Sequence, residues 1–124
     1  MKYLVPILGL ALGLAIAGKG MAAAPASGEQ IFQTRCKVCH SVAPDGSSSP
    51  IAPNLRGVVG RKAAASAFRN YSPALKASNL TWSQPKLDEY LQSPGKLVPG
   101  TRMVVSVTDA QQRKALIGYL AAQH

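Results

Sequence analysis

The stretch Cys36-Lys37-Val38-Cys39-His40 holds both cysteines of the chain and one of its two histidines. A two-residue spacer in a helical turn puts both thiols on one edge of the turn, with an imidazole directly after the second. A lone C-x-x-C pair in an exported protein is ordinarily a disulfide, and in other settings a thiol-redox pair. The redox reading calls for a βαβ pattern, which this sequence lacks, and it leaves His40 without a role. The complete C-x-x-C-H pattern uses every one of these side chains: it is the attachment signature of c-type haem. The thiols add across the two haem vinyl groups as thioethers, and His40 then lies under the iron with a nitrogen to donate.

A six-coordinate iron takes a second ligand opposite His40, and histidine or methionine is the usual donor. The remaining histidine, His124, lies at the chain end, where structure frays. Of the three methionines, Met1 and Met21 lie in or beside an N-terminal targeting pattern. That leaves Met103, which follows Val98-Pro99-Gly100-Thr101-Arg102, a stretch suited to a tight loop. Taken alone, Met103 reads more readily as an ordinary core methionine; downstream of C-x-x-C-H it is the candidate ligand. Thioether sulfur is a soft donor that favours reduced iron. With both axial positions filled no site is open to substrate, so electron transfer is expected and catalysis is not. A haem peroxidase or gas-binding protein is the alternative that an open iron would require.

Working outward, helix ends are legible in the capping residues. Ser27 with Gln30 forms a capping box ahead of Ile31 and Phe32, and the helix it opens runs into Cys36 and Cys39. Ser72-Pro73 starts a short helix with proline at its first position. A helix from near Ser83 carries Leu87, Tyr90 and Leu91 at helical spacing and stops at Ser93-Pro94-Gly95. A last helix is predicted to start at Thr108, with Gln111 completing a capping box, and to carry Leu116, Ile117, Tyr119 and Leu120. Val104-Val105-Ser106-Val107 has strand propensity but is too short to build a sheet. The expected fold is therefore all-α: about four helices and long loops wrapped around one covalently bound haem. With 11 glycines and 9 prolines in 124 residues, the chain exceeds the usual combined share of about 12%. A porphyrin at the centre would supply apolar core to so loop-rich a chain.

The N-terminus reads as a targeting segment. Lys2 begins it, Tyr3 to Ala17 is almost wholly apolar, and small residues follow in Met21-Ala22-Ala23-Ala24-Pro25-Ala26-Ser27. That is the form of a secretory signal peptide, and the apolar run is short for a membrane span of about 20 residues. Residues 1–26 are expected to be a signal peptide, cleaved after Ala23 or Ala26, or else a retained anchor; residues 27–124 form the one domain. The whole chain has formal charge +9. Lys2 and Lys19 precede Ser27, so residues 27–124 carry +7. The bases are scattered, with no Lys/Arg-rich block and no nucleic-acid motif. They read as a solvated surface or as a docking face for an acidic partner, where long-range charge raises the rate of encounter.

Several ordered motifs make the chain similar to class I cytochromes c, the group of mitochondrial cytochrome c and its bacterial periplasmic relatives, over about Gly28 to Ala121. Gly28-x-x-x-Phe32 resembles the N-terminal helix, whose glycine lets the C-terminal helix cross closely, and Leu116-Ile117-Gly118-Tyr119-Leu120 resembles that crossing helix. Pro53-Asn54-Leu55 resembles the loop whose proline carbonyl accepts a hydrogen bond from the proximal imidazole. The resemblance further implies that Arg61 faces a haem propionate, that Tyr71 and Trp82 hydrogen-bond the propionates, and that Tyr90 lies near the methionine sulfur. Pro99-Gly100-Thr101-Arg102-Met103 resembles the ligand loop, which puts Thr101 beside the cofactor. Read without the resemblance, Tyr71, Trp82 and Tyr90 are core aromatics and Arg61 a solvated arginine. The chain departs from the pattern with Ala52 in place of a glycine, Leu75 in place of a buried asparagine, Val105 in place of an aromatic and Val107 in place of a glycine.

These features imply a monomeric periplasmic one-electron carrier with haem c and iron. Its partners would be acidic redox proteins: a quinol–cytochrome c reductase or periplasmic dehydrogenase as donor, a terminal oxidase as acceptor. A retained N-terminus would instead make it a membrane-anchored or dedicated subunit of one oxidoreductase complex.

Overall fold

Ser27 starts the folded domain as its sequence implies. Its Oγ accepts from the Gln30 N–H at 3.2 Å, and the Gln30 Oε1 accepts from the Ser27 N–H at 2.8 Å. The computed structural model describes residues 23–124 and, before them, residues 9, 13–18 and 20. The targeting segment expected over 1–26 falls largely outside the described residues. Helix α1 (Gly28–Ile31) passes without a break into a π-helical turn, Phe32–Cys36. Its wider bonding is marked by the Lys37 N–H reaching Phe32 O at 2.9 Å. Turns of this kind are rare and cluster at functional sites; this one ends on the first motif cysteine.

Three further starts use the same chemistry. The Ser72 hydroxyl caps α2 (Pro73–Ala77) and the Ser83 hydroxyl caps α3 (Gln84–Gln92), each with proline in the first turn. The chain does not stop being helical at Ser93-Pro94-Gly95. Ser93 is driven to φ −158°, ψ 89°, as a residue before proline must be, and Pro94 then opens another turn, α4 (Pro94–Leu97). The last helix, α5 (Ala110–Ala121), is capped by Asp109, whose carboxylate accepts from the Gln112 N–H at 2.8 Å. The predicted Thr108 cap is thus off by one residue. Asp109 presents an equally good acceptor, and the Thr108 carbonyl is taken by Arg113.

Among the described residues no strand forms; the one β-bridge is isolated, pairing Lys62 with Thr81. Val104 and Val105 are exposed, and Val107 is 1% exposed and packed in the core. Its N–H reaches Leu91 O at 2.7 Å, so the valine in place of a glycine is absorbed by burial. The all-α expectation is met, with helices α1 to α5 set among long loops. Helices α1 and α5 cross at Gly28, and Phe32, Leu116 and Val107 are the most deeply buried large side chains.

Arg113 was not singled out by sequence, yet it is 6% exposed. It donates to Asp88 at 2.8 Å and to the carbonyls of Val107 and Thr108 at 3.0 and 2.9 Å. Replacing it with methionine strands a buried carbonyl and is expected to cost about 2–4 kcal/mol in urea unfolding. Asp88 is 45% exposed, so Asp88→Asn should cost about 1 kcal/mol or less. Equal losses would mean that the ion pair, and not the carbonyl bonds, carries the effect.

Candidate functional site

The motif closes on itself: the N–H groups of Cys39 and His40 both reach Cys36 O, at 3.0 and 2.8 Å. Both thiols are free and half-buried. Burial pushes the Cys36 thiol up, Arg35 pulls it back, and Cys39 adds to the rise. His40 Nδ1 lies 2.8 Å from Pro53 O. A carbonyl only accepts, so Nδ1 carries the proton and Nε2 keeps its lone pair, an orientation that also makes a better ligand. Burial holds the His40 pKa below the ordinary histidine value, with the Pro53 bond acting the other way. The neutral, metal-binding form is the favoured one.

Pro53 is itself held by a network that sequence reading missed. Asn54 is 3% exposed. Its amide donates to Ala43 O and Ser47 O at 3.1 and 2.9 Å, and its Oδ1 accepts from the Arg56 N–H at 2.7 Å. The Ser49 hydroxyl donates to Cys39 O at 2.6 Å. An Asn followed two residues on by Arg and then Gly carries an Asx-turn signal, but nothing in the sequence says that its amide reaches back eleven residues. Arg61 donates to Arg56 O and Asn54 O at 3.1 and 3.0 Å. It braces this same loop, a role the sequence did not suggest.

On the other side, the Tyr90 hydroxyl meets the Thr101 hydroxyl at 2.6 Å, two residues before Met103. Burial raises the Tyr90 pKa and the Thr101 bond lowers it. The Trp82 ring lies 4.8 Å from that of Tyr90, and the Tyr71 hydroxyl pairs with Ser66. Gly100 has φ 91°, a turn that favours glycine, and the Thr101 N–H returns to Val98 O at 3.0 Å. Met103 is half-buried against the core, as are Cys36, Leu55, Val59, Leu75 and Leu80. A cleft of about 500 Å³ beside Lys37–Val42 takes in Cys39 and His40 but neither Met103 nor Trp82. Two free thiols, an oriented imidazole, a thioether and half-buried apolar side chains suit a covalently held haem.

The family model for cytochrome c matches residues 25–123. The chain belongs to the cytochrome c family. It is similar to cytochrome c2 of Rhodomicrobium vannielii, 45% identical over 101 residues, covering 81% of this chain and 79% of that one. Cytochrome c-554 of Methylosinus trichosporium is 38% identical over 104 residues, covering 81% and 77%. Among solved structures, cytochrome cH from Methylobacterium extorquens superposes with a TM-score of 0.69 at 40% identity, covering 76% of this chain and 93% of that one. The cytochrome c family binds haem c, and its members are electron-transfer proteins, not enzymes. The chain is a class I cytochrome c electron carrier. No described helix is long and apolar enough to cross a membrane.

Proposed function

We propose that one haem c is attached through Cys36 and Cys39, with His40 and Met103 as axial ligands, and that the protein shuttles single electrons between a reductase or dehydrogenase and a terminal oxidase in the periplasm. The observation that carries the reading is the His40–Pro53 hydrogen bond at 2.8 Å within C-x-x-C-H. It leaves Nε2 of the imidazole aimed and unprotonated beside two free thiols. The cofactor supplies a centre that gains and loses one electron.

The protein's part is to hold that centre and set its surroundings. Tyr90 and Thr101 brace the Met103 loop; Trp82, Tyr71 and Arg61 match the family's propionate contacts in sequence. Electron exchange needs little rearrangement when both axial side chains are pre-positioned. The periplasmic location is supported by the N-terminal pattern. Docking on an acidic partner is supported by the exposed bases, among them Arg35, Lys37 and Arg102.

Oxidation of the reduced protein by native host membranes, at low and high salt, tests this reading. Steering by charge is screened once ionic strength brings the Debye length to about 10 Å or below. The rate is therefore expected to be high at low salt and to fall by about tenfold or more at high salt. No oxidation at either salt would overturn the diffusing carrier and favour a dedicated subunit of one complex.

A further inference from the structure

Arg35 and Ser106 lie 71 positions apart, yet an Arg35 Nη donates to the Ser106 carbonyl at 2.6 Å. Arg35 directly precedes Cys36, and Ser106 is three residues past Met103. The bond therefore ties the thiol-bearing turn to the segment that carries the thioether.

That segment has little else to hold it. Among the described residues, 102–106 make no backbone–backbone hydrogen bond. The chain is caught again only at Val107, by Leu91 O and Arg113. Upstream, Arg102 donates to Asn70 O at 2.8 Å. Met103 thus sits on a stretch pinned by one arginine at each end, and the bond from Arg35 faces the haem motif. A hydrogen bond from a charged donor is roughly twice as strong as a neutral one.

We propose that Arg35 is a positioning residue. It straps segment 102–106 against the C-x-x-C-H turn and so sets how readily Met103 yields its place to an exogenous ligand. The inference rests on Met103 being the axial ligand.

Imidazole titration of the oxidised holoprotein, read at the far-red sulfur-to-iron band, tests it. In Arg35→Ala the imidazole concentration that removes half the band should fall tenfold or more, a tenfold change corresponding to about 1.4 kcal/mol. Arg35→Lys should recover part of the difference, since an ammonium can donate to the same carbonyl. Lys96→Ala, which removes an exposed charge elsewhere, should stay within about twofold. An Arg35→Ala midpoint within twofold of the parent, or an equal shift from Lys96→Ala, overturns the strap. If Arg35→Ala does not fold, Arg35→Gln should show a smaller shift in the same direction, and no shift overturns the proposal. A parent protein without the band defeats the Met103 assignment itself, and the strap falls with it. That outcome is distinct from a parent band that Arg35 does not influence.

Discussion

Met103→Ala is expected to abolish the far-red sulfur-to-iron band of the oxidised protein. Its reduction potential should fall by on the order of 0.1 V, within the range of about 0.8 V that axial ligands command. The reduced protein should bind carbon monoxide. With Met103 as the proposed axial ligand, loss of its soft thioether removes the donor that favours reduced iron and opens the position opposite His40. The fold should survive. Met103 is half-buried against the core, and truncation loses that packing together with the sulfur–iron bond; a cost of about 2–5 kcal/mol set against a stability of about 5–15 kcal/mol leaves the covalently held haem domain folded. A band that persists in the variant means that the ligand lies elsewhere.

Gly28→Val should be the most damaging single change to the fold. A Cβ at Gly28 would lie 2.0 Å from the Ala115 carbonyl oxygen and 2.7 Å from the Tyr119 Cβ. The nearest obstacle is backbone, so no rotamer relieves it; α1 and α5 must separate. Separation loosens the Phe32–Tyr119 ring contact at 5.5 Å and the burial of Ile31 and Leu116. Overpacking of a well-packed site costs about 1–3 kcal/mol and occasionally more. At the main helix crossing a loss of about 3 kcal/mol or more is expected, a fall in Tm on the order of 15 °C. Gly118 is also in a helix, but it is exposed, and a Cβ there would meet nothing within 4 Å. Gly118→Ala should therefore stabilise by about 0.5–1 kcal/mol. Thermal unfolding of the two variants should give opposite signs; destabilisation by both would mean that helix propensity is not the controlling factor at Gly118.

The helix starts at Ser27, Ser72 and Ser83 were legible because a cap is a local event: a side-chain oxygen meets a backbone N–H two or three residues on. The same locality misplaced the start of α5. Thr108 and Asp109 both carry cap acceptors, and what separates them is Arg113, which takes the Thr108 carbonyl from within its own fold neighbourhood. At Ser93-Pro94 the breaker was read correctly, but a proline that ends one helix also suits the first turn of the next. The resemblance directs Arg61 toward a cofactor propionate; that its guanidinium also lies on the carbonyls of Asn54 and Arg56 carries no trace in the sequence. Asn54 carried no assigned role because its partners, Ala43 and Ser47, meet it only once the loop has closed.

By itself the sequence determined the haem-attachment motif, the all-α class and the starts of three helices. C-x-x-C-H, a methionine after a Pro-Gly turn and serine caps are patterns whose meaning lies within a few residues, so spacing alone carries them. Only the tertiary structure decided which distant groups meet. Thr101 comes to Tyr90, Arg35 to Ser106 and Asn54 to Ala43; the bond from the His40 ring to Pro53 and the helix crossing at Gly28 are implied by the family resemblance, and both are present. Such contacts follow from loop closure and helix crossing, in which every part of the chain competes for the same small core. Two positions far apart in sequence leave no periodic trace of their meeting.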